Sequence, residues 1–518
     1  MSSDTTQILI VMCLYMATVI IIGLTFARRA NKDSENYFLG GRSLGPWVAA
    51  MSAEASDMSG WLLMGLPGVA YWCGLADAAW TAIGLGIGTY INWLIVAKPL
   101  RRYSETCGNA ITVPDFFSNR FREDKKIIMT IAALFILIFF AVYAASCFVT
   151  CGKLFSTLYG APYISMMIVG AVFVLVYTIL GGFLAESASD FMQSIVMIIA
   201  LVSVVTMGTL NAGGLGAVIE NANRIPGFYE FFGIANPVMA DGVQEIVDGV
   251  PVFGERLPYG LLTVASTLSW GLGYFGMPQV LLRFMAIRSE KELTKSRRIA
   301  TVWCLIALLS AVFIGLAGRV LYPTAFGTGS DAENIFILLS RNLLPTVLAG
   351  LVMAGILAAT ISSSDSYLLI AASAFSKNIY VNLLNKDADD KQVMRISHIT
   401  LILISIVAII IALDENSVIF TIVSFAWAGF GATFGPLMLF SLFWRRINRA
   451  GAMAGMIAGG GMVFFWKLVL RPLGGIFGIY ELLPAFVFSC VAIIVVSLLT
   501  KEPSAEIYKE FDAVKAAK

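Results

Sequence analysis

The sequence predicts an all-α polytopic membrane protein. Of its 518 residues, 58% are apolar and only 13% are charged, whereas charged residues make up roughly a quarter of a soluble domain. Apolar runs of about 20 residues, long enough to cross about 30 Å of hydrocarbon as a helix, recur from residue 7 to residue 499. One membrane domain in a lipid bilayer therefore accounts for the chain better than several soluble domains.

The charge balance excludes several kinds of partner. The chain has 35 Lys and Arg against 33 Asp and Glu, a formal charge of +2, and nucleic-acid binding needs a strongly basic surface. We therefore expect no nucleic-acid partner. The single histidine cannot form a His-rich metal site, and no nucleophile motif supports an enzyme. Nothing in the sequence indicates an obligate protein partner.

The apolar runs predict about thirteen membrane helices. Their approximate limits are 7–27, 46–72, 77–98, 127–158, 162–181, 188–211, 257–286, 298–322, 346–376, 396–413, 417–443, 450–470 and 477–499. If residue 1 lies outside, the inner loops hold most of the Lys and Arg, around residues 28–42, 101–126, 288–298, 377–395 and 445–449, and only a few scattered ones remain for the outer side. Cytoplasmic loops carry such a basic excess, so we expect an outer N-terminus and a cytoplasmic C-terminus.

Two outer segments are expected to cover the membrane domain. The long loop at 212–256 is rich in Gly, Asn, Pro and acidic residues, which favours a solvated lid over a separate domain. Residues 331–345 begin with an acidic turn and end at Pro345, a pattern typical of a short helix. This helix could cover an outer vestibule.

The second predicted span is too polar for an unbroken helix facing lipid. Residues 51–61 read Met-Ser-Ala-Glu-Ala-Ser-Asp-Met-Ser-Gly-Trp, which places Glu54 and Asp57 inside the span. Ionisable residues at this depth are costly and indicate function. Broken helices occur there only where the freed backbone lines a cavity, and its carbonyls are good ligands for a hard cation such as sodium.

A matching break is predicted at 269–278, which reads Ser-Trp-Gly-Leu-Gly-Tyr-Phe-Gly-Met-Pro. It lies in the first of five spans at 257–443, as the other break lies in the first of five spans at 46–211. This layout is typical of an inverted-repeat transporter with its site near the bilayer midplane. The flanking segments are one span before this core, two spans after it and a cytoplasmic tail: 7–27, 450–499 and 500–518.

The ninth span carries a run of hydroxyl groups. Residues 358–366 read Ala-Ala-Thr-Ile-Ser-Ser-Ser-Asp-Ser, and on a helix Ser362 and Ser366 share a face with Asp365 beside them. Such serines either bind an ion or bond back to their own helix. Asp190, near the start of the sixth span, could reach the same region or merely cap its helix.

Three aromatic residues are candidate contacts for an organic ligand. Trp270, Tyr274 and Tyr143 combine apolar area with a polar tip, as a small amphiphilic ligand requires. Ordinary packing within the bundle explains each of them as well.

Four stretches resemble the sodium/solute symporter family, and its proline-type members in particular. They are residues 40–46, 55–68, 270–278 and 425–436, and the resemblance covers nearly the whole chain. It implies a LeuT-like 5+5 inverted-repeat core and sodium-coupled uptake of L-proline across the bacterial cytoplasmic (inner) membrane by alternating access. The alternative is a sodium symporter of the same fold for another amino acid, pantothenate, a sugar or sialic acid.

The resemblance implies a sodium site between the first broken helix and the serine-rich span. The matching ligands are the backbone carbonyls of Ala55, Met58 and Ala359 and the hydroxyls of Ser362 and Ser363. Asp57 matches the acidic residue that the family uses for sodium coupling, because a negative charge lowers the cost of dehydrating the ion. Ser59 and Gly60 would shape the break.

The proline site implied by the resemblance lies at the second break. The matching residues are Trp270, Tyr274 and Pro278, with Tyr143, Ser56 and Gly65 as further candidates. A zwitterion needs backbone N–H groups for its carboxylate, carbonyls or a hydroxyl for its ammonium, and an aromatic face for its ring. Arg42 matches an arginine on the inner side, where it would serve the inward gate or anchor the chain at the interface.

Two acidic residues depart from the proline-type pattern. Glu54 and Asp365 stand where uncharged residues are expected. Some members of the family bind a second sodium between an acidic residue matching Asp190 and serines matching the ninth span. Asp190, Asp365 and Ser366 are therefore a candidate second cation site, for sodium or a proton, and the number of coupled ions stays open.

Overall fold

The chain folds into helices nearly throughout. A computed structural model describes residues 3–30 and 34–516 and is 79% helical. The helices before the long outer loop, and the one that opens it, are α1 (Ser3–Ala30), α2 (Ser34–Leu39), α3 (Pro46–Asp57), α4 (Leu66–Cys73), α5 (Leu75–Ile91), α6 (Ala97–Thr106), α7 (Val113–Arg120), α8 (Ile127–Tyr159), α9 (Tyr163–Asn211) and α10 (Leu215–Asn223). The later helices are α11 (Leu261–Leu268), α12 (Trp270–Gly273), α13 (Pro278–Ala286), α14 (Leu293–Leu321), α15 (Gly329–Ala332), α16 (Ile335–Leu343), α17 (Thr346–Ser373), α18 (Asp390–Ile411), α19 (Ile419–Phe443), α20 (Arg449–Phe465), α21 (Leu482–Leu499) and α22 (Ala505–Ala516).

Ten helical segments of the described chain are long and apolar enough to cross a membrane. Two further predicted spans correspond to shorter apolar helices, Trp61–Cys73 and Tyr163–Ile179. The one remaining predicted span, 257–286, corresponds to the interrupted segment from α11 to α13. A broken helix offers no continuous stretch of about 20 apolar residues. A criterion based on helix length therefore misses such a span. The helical membrane fold is confirmed, and the number of crossings stays a prediction.

Both predicted breaks are present. In the first, α3 ends at Asp57 and a π turn at Trp61–Gly65 leads into α4. In the second, a 3-10 turn at Tyr274–Gly276 and the extended residue Met277 separate α12 from α13. Because α3 and α13 pack against each other, the interrupted backbones of the two spans lie next to one another.

Glycines allow α5 and α12 to meet through their backbones. A Cβ atom on Gly271 would lie 2.2 Å from the carbonyl oxygen of Gly84, and one on Gly88 would lie 2.4 Å from the Cα of Gly271. Small residues four positions apart are typical of close helix contacts in membranes. This contact places the start of the second break directly beside α5.

The serine-rich helix α17 is the centre of the bundle. It packs against α1, α3, α8 and α9, and its residues from Val352 to Ser373 are buried. A membrane helix surrounded in this way faces protein on every side, so its serines do not face lipid. The last two spans, α20 and α21, pack on each other and on α19.

The long loop that is predicted to lie outside contains short paired strands. After α10 it forms three antiparallel pairs of two-residue strands: β1 (Gly233–Ile234) with β6 (Leu257–Pro258), β2 (Met239–Ala240) with β3 (Val243–Gln244), and β4 (Ile246–Val247) with β5 (Val250–Pro251). Gln244 fixes the loop to the helices, because its Oε1 accepts a hydrogen bond from Arg319 at 2.8 Å. The predicted outer helix is also present, as α15 and α16.

The segment after the last span is helical rather than an extended tail. Helix α22 lies under the predicted inner loops, where Arg122 pairs with Glu506 and Arg445 with Asp512, at 2.5 and 2.7 Å. Its buried Phe511 lies beneath the guanidinium of Arg120, 5.3 Å from the ring centroid. The helix therefore joins separate loops on one face of the bundle.

Replacing Gly271 with Ala should force α5 and α12 apart, because the added methyl group has no room beside the Gly84 backbone. We expect a clearly lower thermal unfolding temperature in detergent. Gly461 of α20 is the matched control, since nothing lies within 4 Å of the position that a Cβ atom would occupy there. Gly461→Ala should be neutral or stabilise by up to about 1 kcal/mol, and equal unfolding temperatures for the two variants would contradict the backbone contact.

Candidate ion and substrate site

Oxygen atoms from the first break and from α17 converge in the core. The hydroxyls of Ser362 and Ser363 donate to the carbonyl of Ala55 at 2.8 and 3.2 Å. The Ser362 hydroxyl also lies 3.2 Å from the carbonyl oxygen of Ala359, and all four residues are buried. A hydroxyl can turn its lone pairs toward a cation, so this set could exchange its internal hydrogen bonds for contacts to a hard ion.

The remaining residues of the first break give it its shape. Met58 leaves the helical conformation, with φ −86° and ψ 74°, which turns the chain away from α3. The hydroxyl of Ser59 is buried and has no hydrogen-bond partner among the described residues. A Cβ atom on Gly60 would lie 2.3 Å from the Oγ1 of Thr150, so only glycine lets α8 approach the break.

Asp57 lies between the two breaks. One oxygen of its carboxylate is 3.4 Å from the Nε2 of Gln279 in α13, and the other oxygen is buried without a partner in the described chain. Its carbonyl oxygen accepts hydrogen bonds from Trp61 at 3.2 Å and from Tyr143 at 3.4 Å. A buried carboxylate with so few donors attracts positive charge, and this one faces the second break.

Trp270 lies in the middle of an aromatic cluster. Its ring centroid is 5.1 Å from that of Tyr480, 5.3 Å from Phe420, 5.9 Å from Trp427 and 6.2 Å from Trp61. The indole N–H of Trp427 donates to the carbonyl of Trp270 at 2.8 Å, which fixes the second break against α19. The cluster supplies apolar walls and aromatic faces for a small ligand.

Tyr274 and Tyr143 approach the same region from two helices. Tyr274 packs edge-on against Trp427 with centroids 5.1 Å apart, and its hydroxyl is buried with no described partner. Tyr143 of α8 stacks on Tyr367 of α17 at 4.2 Å. The structure therefore brings both predicted tyrosines to the breaks, where Tyr143 also reaches the Asp57 carbonyl.

The other three predicted substrate residues have structural roles that are visible in the backbone. Pro278 begins α13. Proline suits this position, because the first N–H groups of a helix have no acceptor within the helix. Gly65 lies in the π turn, where a Cβ atom would be 3.4 Å from Phe420. The hydroxyl of Ser56 bonds back to the carbonyl of Ala53 at 3.1 Å.

A cavity of about 280 Å³ lies between Trp270 and the outer helices. Glu333, just before α16, forms part of its wall. Its carboxylate accepts from Lys153 of α8 at 2.7 Å and from the backbone N–H groups of Ile419 and Phe420 at 3.0 and 3.1 Å. This buried pair ties the predicted outer helix to α8 and α19, at the wall of the cavity. That this cavity is an outer vestibule stays a prediction.

The candidate second cation site contains a cation that sequence reasoning missed. Arg283 of α13 is fully buried, and its Nη2 contacts Glu186 and lies 3.2 Å from Asp190 and 2.9 Å from the Ser366 hydroxyl. Its Nε donates to the hydroxyl of Ser52 at 3.0 Å. One permanent positive charge therefore joins α13 and α3 to α9 and α17.

Asp190 does not cap its helix. Helix α9 is interrupted at Gly182, whose φ of 58° and ψ of −178° are not helical, so Asp190 lies well inside its second part. The Asp190 carboxylate accepts a 2.7 Å hydrogen bond from Ser52. The capping interpretation is wrong because this side chain bonds across to α3. Asp365 accepts the backbone N–H of Ser366 at 2.8 Å, and its second oxygen is buried without a described partner.

Glu186, Arg283 and Lys153 were all absent from the predicted site. Each lies within or at the end of an apolar run, and an ionisable residue in such a run indicates function. That rule identifies all three, but it does not reveal which acid meets which base. The sequence does identify Glu54 as an ionisable residue inside a span. The structure buries it in α3, with one carboxylate oxygen unpartnered among the described residues.

Arg42 closes the predicted inner end of the bundle. Its guanidinium donates to the carbonyls of Met285 and Ala110 at 2.7 and 2.8 Å and to the side chains of Ser104 and Asn109 at 3.2 Å. Burial, together with the charge of Arg101, lowers the pKa of Arg42 to about 10, so it stays charged at neutral pH. These contacts favour a role at the inner gate over an interfacial anchor, and that role stays a prediction.

Carboxylates form no conventional metal centre in the described part of the chain. Within residues 3–30 and 34–516, no group of three or more His, Cys, Asp or Glu side chains is arranged to hold a metal ion. The converging oxygens at the first break are carbonyl and hydroxyl groups instead, which are ligands of the kind that hard monovalent cations accept.

The chain is similar to known transporters over almost its full length. The profile of the sodium:solute symporter family matches residues 37–459. The osmoregulated proline transporter OpuE of Bacillus subtilis is 39% identical over 510 residues, 98% of each chain. A sodium/proline symporter of Staphylococcus aureus is 39% identical over 515 residues, 98% of this chain and 96% of that one.

Two solved structures share the fold. A sodium-coupled sialic acid symporter in a substrate-bound, outward-open state superposes with a TM-score of 0.76 at 19% identity, covering 96% of this chain and 99% of that one. Mhp1, a nucleobase-cation-symport-1 family transporter in a closed conformation, superposes with a TM-score of 0.53 at 13% identity, covering 93% and 99%. The LeuT-like fold is thereby confirmed.

Breaking the Lys153–Glu333 pair from one side should destabilise the outer end. Glu333→Gln leaves a buried ammonium without its counter-charge, which costs about 3–5 kcal/mol for buried pairs. The thermal unfolding temperature in detergent should therefore fall sharply. The double variant Lys153→Met with Glu333→Gln removes both charges and should recover part of this loss. A double variant less stable than Glu333→Gln alone would contradict the pairing.

Proposed function

Because the chain belongs to the sodium:solute symporter family, we propose that it couples sodium entry to the uptake of L-proline. The observation that carries this proposal is the convergence of the Ala55 carbonyl with the Ser362 and Ser363 hydroxyls beside an aromatic cluster at the second break. The proline transporters at 39% identity support the choice of solute. The site would lie in a bacterial cytoplasmic membrane, with the N-terminus outside and the C-terminus in the cytoplasm.

Sodium would bind where α3 breaks and meets α17. Ala55, Met58 and Ala359 would offer carbonyl oxygens, and Ser362 and Ser363 their hydroxyls. Asp57 would supply the negative charge that favours dehydration of the ion, although its carboxylate faces Gln279 rather than the serines. Sodium binding would hold the broken end of α3 against α17, and so would order the region that Asp57 and Tyr143 share.

Proline would bind beside Trp270 and Tyr274. Its ring would pack on the aromatic cluster, and its ammonium would meet the half-paired Asp57 carboxylate or the freed carbonyls of the first break. Its carboxylate would meet backbone N–H groups at the start of α13, after Pro278. Sodium and proline would thus contact opposite sides of the first break. This shared segment would be the physical basis of coupling.

Alternating access would move solute from the outer vestibule to the inner side. The cavity above Trp270 and the Arg42 contacts below it describe a protein closed at the inner end. Opening inward would require Arg42 to release the Met285 carbonyl. At 100 mV one charge supplies about 2.3 kcal/mol and a tenfold sodium gradient about 1.4 kcal/mol. One sodium per proline would then sustain roughly 500-fold accumulation.

Arg283 would take the place of a second sodium. Its guanidinium contacts Asp190 and Ser366, the residues expected to hold another cation. A side-chain cation cannot leave with the solute, so it would neutralise these groups in every state without adding to the transported charge. This arrangement favours one coupled sodium per proline.

The test is uptake of radiolabelled proline into proteoliposomes that contain the purified protein. We expect uptake driven by an inward sodium gradient and blocked by unlabelled proline, but not by other amino acids, pantothenate, a sugar or sialic acid. Protein-free liposomes and an equal potassium gradient are the controls. Sodium-dependent uptake of a different solute, without proline uptake, would favour the alternative symporter and overturn the choice of proline.

Sodium and proline dependence should separate in two variants. Asp57→Ala removes the charge near the ion, so the sodium concentration for half-maximal uptake should rise by at least about tenfold, a loss of about 1.4 kcal/mol. Trp270→Ala should mainly raise the proline concentration for half-maximal uptake, and Trp270→Phe should retain most binding. Unchanged sodium activation in Asp57→Ala would refute the ion assignment.

Transport stoichiometry should show whether Arg283 replaces a sodium ion. At zero membrane potential, a tenfold sodium gradient should be balanced by a proline gradient of about tenfold for one sodium and about 100-fold for two. We expect tenfold. Arg283→Gln should steepen the dependence of uptake on sodium, because Asp190 then needs another cation, whereas Arg283→Lys should preserve it. A 100-fold balance in the unsubstituted protein would contradict this role.

A further inference from the structure

A cavity of about 700 Å³ opens at the predicted cytoplasmic end of α5, α6 and α14, away from the site described above. It is lined by Lys98 and Arg101 of α6, by the segment before α14, and by Arg297 of α14. Trp93 and Leu94 form its apolar end. Five of its lining residues are basic and two are acidic.

The acidic residues in this pocket are already paired. Glu105 pairs with Arg101 at 2.7 Å, and Glu290 pairs with Arg102 at 2.8 Å. Lys98 and Lys291 have no ion pair or side-chain hydrogen bond with the described residues. The pocket therefore carries a positive charge that the protein does not neutralise.

Arg297 gives the pocket an unfilled donor. Its guanidinium lies over the ring of Tyr90 at 5.4 Å, and its Nε is buried with no hydrogen-bond partner in the described chain. A buried donor without an acceptor is costly, so this atom indicates an acceptor that comes from outside the protein.

An exposed apolar surface begins where the basic pocket ends. Ile87, Tyr90 and Leu94 lie on one face of the α5 helix and its continuation, and all three are exposed. Leu305 of α14 is exposed beside them and lies 3.3 Å from the Cβ position of Gly86. Helix surfaces of this composition face acyl chains in a bilayer. The pocket therefore lies at the boundary between hydrocarbon and headgroups.

We propose that this pocket binds the headgroup phosphate of an anionic phospholipid from the surrounding membrane. Lys98, Lys291 and Arg297 would contact the phosphate, and the acyl chains would lie along Leu94, Tyr90 and Leu305. Basic residues at cytoplasmic helix ends are common, but a concave basic pocket joined to an exposed apolar groove matches both parts of a lipid. A water-soluble phosphate would leave the groove unused.

The bound lipid would act on the inner gate. Arg101, in the pocket wall, donates to the carbonyl of Ile287 at 2.7 Å, and the backbone N–H of Arg288 donates to the carbonyl of Leu44 at 3.0 Å. These bonds join the segment after Arg42 and helix α6 to the residues that follow α13. A lipid that steadies this pocket would therefore steady the closed inner end.

The test is native mass spectrometry of the full-length protein released from nanodiscs that contain equal amounts of phosphatidylglycerol and phosphatidylethanolamine. The pocket variant is Lys98→Gln with Lys291→Gln and Arg297→Gln. The matched control removes three basic residues outside the pocket, Lys295→Gln with Arg298→Gln and Lys391→Gln. Because each basic side chain near the surface is worth about a factor of five in affinity, the preference for phosphatidylglycerol should fall by roughly 100-fold only in the pocket variant.

Three outcomes would overturn the proposal. The first is equal retention of phosphatidylglycerol by the pocket variant and the unsubstituted protein. The second is an equal loss in the matched control, which would indicate a general charge effect. The third is displacement of the bound lipid by millimolar inorganic phosphate or glycerol phosphate, which would make the pocket a site for soluble phosphates. If the triple variant unfolds, Lys291→Gln alone, at an exposed position, should still lower the preference by about fivefold.

Discussion

The structure depends on one constraint: backbone polar groups inside a bilayer need partners. Two spans break, at Met58–Gly60 and at Tyr274–Met277, and the bundle meets the constraint by placing these breaks side by side, where protein rather than lipid surrounds them. The carbonyl of Ala55 meets hydroxyls of α17, and the carbonyl of Trp270 meets an indole N–H of α19. The backbone groups that the two helix breaks leave free are the same groups that can bind a cation and a zwitterion.

Buried charge is the second cost that the fold has to offset, and it does so by pairing across helices. Arg283 meets acids from α9, and Lys153 meets an acid from the outer helix. Each pair joins segments that are far apart in the sequence, so the interactions that make these charges tolerable also hold the bundle together. Asp57, Glu54 and Asp365 are exceptions, because each is buried with a carboxylate oxygen that has no partner in the described chain.

The two ends of the molecule are held together by different chemistry. At the inner end, Arg42 binds carbonyls and hydroxyl or amide groups, and the hydrogen bonds of its guanidinium with the described residues include no carboxylate. These neutral contacts can be broken without stranding a second charge. At the outer end, Glu333 is held by an ammonium and two backbone N–H groups, so its release costs more. The basic pocket that is proposed to bind a phospholipid adjoins the predicted inner end.

The amino-acid sequence alone determined the membrane fold, the position of both breaks and the residue types at the candidate site, because apolar length, glycine, proline and misplaced polar residues are local properties. Tertiary structure decided the rest. Which acid meets Arg283, whether Asp190 caps a helix or crosses to Ser52, and how the outer loop forms strands all depend on contacts between residues far apart in the chain. Hydropathy carries no information about such pairings, because a charged residue in an apolar run gives the same sequence pattern whichever residue neutralises it.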